Sequence, residues 1–75
     1  MTTDLRQIVA DVLDLRPDEV DDELGPAVTD RWDSLGHLRL VTAVEEELGI
    51  RFSMEEIQSI DSFGKLRDLV AAKRE

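Results

Sequence analysis

Seventy-five residues are enough for one domain, and a chain of this size buries only roughly 60% of the surface its unfolded form exposes, which excludes a large internal active-site cavity. With 41% apolar and 36% charged residues the chain reads as globular rather than disordered, without an apolar run long enough to span a membrane; the absence of cysteine excludes disulfides and thiolate metal sites, so that any thiol chemistry needs a thiol from outside. Nine basic residues against eighteen acidic ones give a formal charge of −9, which repels nucleic acid and anionic membranes and favours partners with basic surfaces.

The first segment, Met1-Thr2-Thr3-Asp4, carries no basic stretch and apolar core of a signal peptide, so a cytoplasmic location is expected. From Thr3 onward Leu5, Ile8, Val9, Val12 and Leu13 recur at helical spacing, with Thr3 the expected N-cap and Asp4 favouring the positive end of the helix dipole. Pro17 and its restriction on Arg16 are expected to end this first helix. Asp18 to Arg31 carries acids, a Gly25-Pro26 turn signal and no sustained period, and reads as a long loop with room for one short turn. A loop of that length needs pinning, for which Val20, Leu24 and Val28 are the candidates.

A second helix is predicted over Ser34 to Leu48, closed by Gly49 as a left-handed cap. Ile50 and Phe52 follow as core anchors, then Ser53 and Glu56 at capping-box spacing open a short third helix through Ile60. Asp61 or Ser62 caps the last helix, with Phe63, Leu66, Leu69 and Val70 on one side and Lys73 and Arg74 near its negative end. The expected fold is all-α: a small four-helix bundle of three main helices and one short one, with a long loop between the first two.

Turning each residue of the second helix by about 100° puts Leu40, Val41, Val44 and Leu48 on an inward stripe. The opposite side carries Leu35, Leu38, Arg39, Thr42 and Glu46, with Glu45 and Glu47 on its flanks. Single exposed leucines are ordinary, but two beside a candidate modified serine read better as a docking surface. That serine is Ser34. Ser53 and Ser62 are cap residues; ahead of Ser34, Asp33 can take the cap and leave the Ser34 hydroxyl free in a first turn whose unpaired amides favour a phosphate. His37 raises the question of a nucleophile–base pair, yet it falls on the inward stripe with no third group, so it reads as a core-margin histidine satisfied by a loop carbonyl or carboxylate. No catalytic residues are assigned. The acids of Asp18 to Glu23 and Asp30 to Asp33 lack the ligand register and glycine of a calcium loop and read as solvated surface, with no metal site expected. Trp32 reads as an anchor from loop to core whose indole N–H needs a partner.

Asp33-Ser34-Leu35, the run Leu40-Val41-Thr42-Ala43-Val44-Glu45-Glu46-Glu47-Leu48-Gly49-Ile50, and the loop Pro17-Asp18-Glu19-Val20 together resemble the acyl carrier protein family, over nearly the whole chain. The resemblance implies a single acyl-carrier domain over residues 1–75, acting as a monomeric, non-catalytic substrate of other enzymes. A phosphopantetheinyl transferase would move 4'-phosphopantetheine from coenzyme A onto Ser34, with Asp33 close to the magnesium held in the transferase complex. Acyl groups would then ride as thioesters on the arm's thiol, supplying what a chain without cysteine lacks. The implied partners are that transferase and acyl-loading and acyl-accepting enzymes with basic docking patches. Glu45, Glu46 and Glu47 would steer them, Leu35 and Leu38 would give a small desolvated centre, and Arg39 and Thr42 would complete the surface.

Against fatty-acid-synthesis carriers the chain departs at Gly36 and Arg39, where acids are usual, and at Thr42, where an apolar residue is usual. Trp32-Asp33-Ser34-Leu35-Gly36-His37 looks more like freestanding carriers of specialised pathways, polyketide systems among them. Peptidyl carriers, which usually place glycines before the serine, rank lower because this chain has Arg31-Trp32-Asp33; a D-alanyl-type carrier shares the Ser-hydrophobic-Gly opening. The alternative from another class is an acidic helical interaction module with no covalent arm, and an enzyme ranks third.

Overall fold

The helical periods of the sequence become α1 (Leu5–Leu13), α2 (Ser34–Leu48), α3 (Met54–Ser59) and α4 (Phe63–Arg74), with one 3-10 turn at Pro17–Glu19. The structure, a computed structural model, describes residues 4–74, and among these there is no strand. The all-α expectation and the bounds of α2, including Gly49 in the left-handed conformation at its end, agree with the sequence reading.

The first helix begins and ends on aspartates. Asp4 is its cap, accepting a hydrogen bond from the Arg6 amide at 3.1 Å; Thr3, the residue expected to cap, lies outside the described residues. The helix stops before Pro17 is reached. Asp14 takes φ 57°, a conformation its short polar side chain tolerates better than most, and the Leu15 amide closes onto the Ala10 carbonyl at 2.8 Å. Pro17 instead opens the 3-10 turn, where its fixed φ is an advantage.

Val20 and Leu24 pin the loop as expected, both being buried. Val28 does not: it is 67% exposed. The four-residue spacing of the three looked helical, but after Leu24 the chain folds into a turn whose Val28 and Thr29 amides both bond the Gly25 carbonyl, so the period fails and Val28 points outward. Backbone pairing makes up for the lost pin. The Phe63 amide donates to the Leu24 carbonyl at 2.8 Å and the Gly64 amide to the Asp22 carbonyl at 3.1 Å. Both amides sit at the start of α4, where helix N–H groups lack intrahelical partners. Ser62 serves the Lys65 amide at 3.2 Å, and Arg67 pairs with Asp22. Gly25 is buried against this joint, where a β-carbon would overlap the Asp61 carbonyl oxygen.

One apolar core gathers Ile8, Val9 and Leu13 from α1, Trp32 from the loop, Leu40, Val41 and Val44 from α2, Phe52 and Ile60 from either side of α3, and Phe63, Leu66 and Val70 from α4, with Ile57 of α3 partly buried against it. Among the described residues no polar or charged side chain is buried. The third helix, too short to hold itself, relies on its ends. Ser53 and Glu56 form the reciprocal capping box, and Glu56 also pairs with Lys73 of α4 at 2.7 Å.

The Lys73 ammonium, and after it the Ser53 amide, hold the Glu56 carboxyl below the usual carboxylate range. A carboxyl depressed in the folded state stabilises fully above its ordinary pKa, and that contribution disappears as pH falls through the lowered folded value. Glu56→Gln is therefore expected to lower stability most near neutrality, where the wild type holds the full contribution, and to flatten part of the acid limb, so that the two curves converge as pH falls. Urea midpoints measured from pH 7 down to pH 3 check this, and parallel curves for the two proteins would refute it.

Candidate functional site at the start of α2

Asp33 enters α2 in extended conformation, and its Oδ1 accepts the Gly36 amide at 2.7 Å. The cap is thus taken, and Ser34, the first helical residue, is left exposed with no hydrogen bond to its hydroxyl among those of the described residues. The neighbouring amides of Ser34 and Leu35 likewise have no backbone acceptor there, while the His37 amide closes the first turn on the Asp33 carbonyl at 2.8 Å. An exposed hydroxyl, free amides and the positive end of a 15-residue helix together suit a covalently attached phosphate. Asp33 Oδ2 is not used by the cap.

The close entry of the chain needs a glycine at position 36. A β-carbon there would lie 2.7 Å from the Arg31 carbonyl oxygen and 3.3 Å from Leu13 Cδ2, so the loop can cross the helix start only if no side chain is present. Gly36 is half-buried, which changes its reading: its place is explained by packing as well as by the outer surface. Arg31 is held by Asp14 at 3.3 Å.

Trp32 and His37 close the other side. The Trp32 indole N–H donates to His37 Nδ1 at 2.9 Å, and His37 Nε2 lies 2.8 Å from the Ile57 carbonyl oxygen. The histidine was expected at the core margin, and it is there, half-buried. Its carbonyl partner belongs to α3 rather than to a loop, and its other partner is the tryptophan that itself required one. The sequence offered no sign of that pairing beyond the five-residue separation. With both ring nitrogens engaged, His37 has no free lone pair with which to take a proton from Ser34. These side chains, with Pro26, Thr29, Asp30, Asp33 and Ile60, line an open groove of about 530 Å³ beside Ser34.

Of the outward residues, Leu35 and Leu38 are 58% and 59% exposed. Leu38, Arg39, Thr42 and Glu46 line one shallow depression along α2, and Arg39 also borders a second, reached from Leu35 and Asp14. Glu45 departs from this set: half-buried, its Oε2 accepts the Phe52 amide at 2.8 Å and so fastens the chain after α2. Glu47 is exposed but lies about 100° further round than Glu46, away from the leucines. Among the described residues no three His, Asp or Glu side chains converge to hold a metal ion, and no helix is long and apolar enough to cross a membrane.

No protein-family model matches the chain. It is 38% identical over 69 residues to the polyketide-8 synthase acyl carrier protein 2 of Streptomyces avermitilis, a match that covers 92% of this chain and 79% of the relative. Its fold superposes on the solution structure of a holo acyl carrier protein from Geobacter metallireducens with a TM-score of 0.84, at 33% identity, covering 93% of this chain and 80% of the other. A sequence relationship of this extent, joined to the same helical architecture, makes the chain a member of the acyl carrier protein family.

Proposed function

We propose that Ser34 carries a 4'-phosphopantetheine arm and that residues 1–75 act as one monomeric, non-catalytic carrier domain of a polyketide or related specialised pathway in the cytoplasm. The observation that carries this reading is the division of labour at the start of α2: Asp33 spends one oxygen on the cap, and the adjoining Ser34 hydroxyl stays exposed and unengaged. When attached, the arm supplies a thiol that holds acyl groups as thioesters. The chain's own residues accept the phosphate at a helix terminus, present it to solvent and keep the hydroxyl clear of the core. Asp33 Oδ2 supports magnesium in the transferase complex.

The surface of α2 supports modest, charge-steered encounters with basic enzyme patches, which suit a carrier that must leave each partner quickly. Leu35 and Leu38 form the desolvated centre, with Arg39, Thr42 and Glu46 beside them. Glu47 and the solvent-facing part of Glu45 add long-range field. The pathway reading draws on the polyketide assignment of the Streptomyces relative and on Arg39 and Thr42, which remain exposed departures from fatty-acid-synthesis carriers; Gly36 has a packing reason of its own.

Intact mass after incubation with coenzyme A and a broad-specificity phosphopantetheinyl transferase is expected to rise by one phosphopantetheine in the wild type and not at all in Ser34→Ala. A wild type that gains nothing would favour an unmodified interaction module instead. Asp33→Asn keeps a capping side chain and should hold stability within about 0.5 kcal/mol, whereas Asp33→Ala should lose about 1 kcal/mol. Both should slow arm transfer, and rapid transfer to the Asn variant would remove the carboxylate's second role. Leu35→Glu, at an exposed position, should leave the thermal melt in place yet lower the rate of acyl transfer from a partner enzyme by about fivefold or more, the scale of a residue worth roughly 1 kcal/mol at an interface; unchanged rates would sink the docking assignment.

A further inference from the structure

The strongest unassigned arrangement in the molecule is the chain Trp32–His37–Ile57. An indole nitrogen can only donate and a carbonyl oxygen can only accept. The 2.9 Å contact from Trp32 Nε1 to His37 Nδ1 and the 2.8 Å contact from His37 Nε2 to the Ile57 oxygen are therefore both satisfied by one species alone, the neutral imidazole with its proton on Nε2. The two partners belong to different parts of the fold. Trp32 ends the long loop and is 1% exposed; Ile57 lies in α3, whose own hydrogen bonds end at Ile60. His37 sits between them one turn after Ser34, and Trp32, His37, Ile60 and Ser34 border the same groove.

We propose that His37, as the Nε2–H tautomer, is a positioning residue: it ties the loop to α3 across α2, fixes the groove wall beside Ser34, and so sets how readily that hydroxyl is modified. The proposal rests on Ser34 being the attachment point. Among the side-chain hydrogen bonds of the described residues, these two are the ones that join the loop, α2 and α3 at the groove. Trp32 is buried, so its indole N–H needs a partner within the protein, and His37 supplies it.

Protonation breaks one side of the tie. A second proton on Nδ1 would face the indole N–H donor with another donor, while the bond from Nε2 to Ile57 survives. The titratable groups that share the groove with His37 are Asp30 and Asp33 of the loop. The third helix presents a carbonyl, its adjacent Glu56 being paired with Lys73, and the nearest α2 neighbours in the groove wall are uncharged. The chain has one histidine and one tryptophan, so both partners can be followed without ambiguity.

The test uses ¹⁵N-labelled full-length protein. At neutral pH the imidazole shifts should show the Nε2–H tautomer, and on acidification the Trp32 indole resonance should move in step with protonation of His37 while far-UV circular dichroism holds. His37→Asn retains an acceptor near the Nδ1 position, His37→Gln a donor near Nε2, and His37→Leu neither. Phosphopantetheine transfer to Ser34 should fall in that order, with kcat/KM for the Leu variant lower by roughly tenfold, short of the roughly hundredfold that a misplacement of about 1 Å can bring. If the Leu variant does not fold, the Asn and Gln variants and the pH profile of the wild type carry the comparison. An Nδ1–H tautomer, an indole resonance indifferent to His37 titration, or unchanged kcat/KM in a folded variant whose indole bond is lost would overturn the proposal. A wild type that gains no arm would instead fail the assignment of Ser34, and with it any positioning role, whatever the NMR shows.

Discussion

The hydrogen bond from the Gly36 amide to Asp33 Oδ1 is the constraint around which the functional end of this molecule is arranged. Every helix must settle its first amides, and a serine at a helix start usually does so with its own oxygen. Here the aspartate one position earlier does it. The Ser34 hydroxyl is displaced into the first turn and faces water, and the rotation of α2 is set so that Leu40, Val41 and Val44 point inward while Leu35 and Leu38 point out. Gly36 completes the arrangement, because only a residue without a β-carbon lets the Arg31 carbonyl approach the capped turn. Cap, free hydroxyl and outward leucines are thus one structural decision.

The excess of acid is put to two different uses. Some carboxylates are fastened into the fold: Asp4 and Asp33 as caps, Glu45 on the Phe52 amide, Glu56 in the box of α3 and on Lys73. Others, Glu46 and Glu47 among them, remain on open surface. Exposed ion pairs such as Arg16–Asp18, with both side chains more than half exposed, contribute little because solvent screens them. Stability comes instead from the apolar core and from backbone groups that the carboxylates satisfy. The remaining charge is available for attraction of basic partners at a distance of about a Debye length, roughly 8 Å at physiological salt.

How much of this was legible depended on whether the determinant was local. The α2 span, its glycine terminator and the α3 capping box follow from residues a few positions apart, and each agrees with the structure. The outward set of α2 was legible for the same reason, since helical rotation alone separates Leu35 and Leu38 from Leu40 and Val44. What failed depended on distant contacts or on rare backbone states. The spacing of Val28 continues that of Val20 and Leu24, yet the loop is fastened through backbone carbonyls that meet α4, which no side-chain pattern encodes. The end of α1 turned on Asp14 adopting a left-handed conformation, which the more conspicuous Pro17 obscured. Glu45 stands in one acidic run with Glu46 and Glu47, and nothing in that run encodes its bond to the Phe52 amide.

The pairing of Trp32 with His37 was the least legible feature, and it also bears on whether His37 can activate Ser34. A hydroxyl near a histidine acts in catalysis when an imidazole lone pair faces it and a third group orients the ring. In this fold the orienting groups exist, but they consume the ring: Trp32 occupies the lone pair of Nδ1 and Ile57 takes the proton of Nε2. His37 is therefore not placed to take a proton from Ser34, which stays exposed at the start of α2. Among the described residues the interior is filled by apolar side chains and buries no polar or charged one, so the polar groups of the first α2 turn act at the surface.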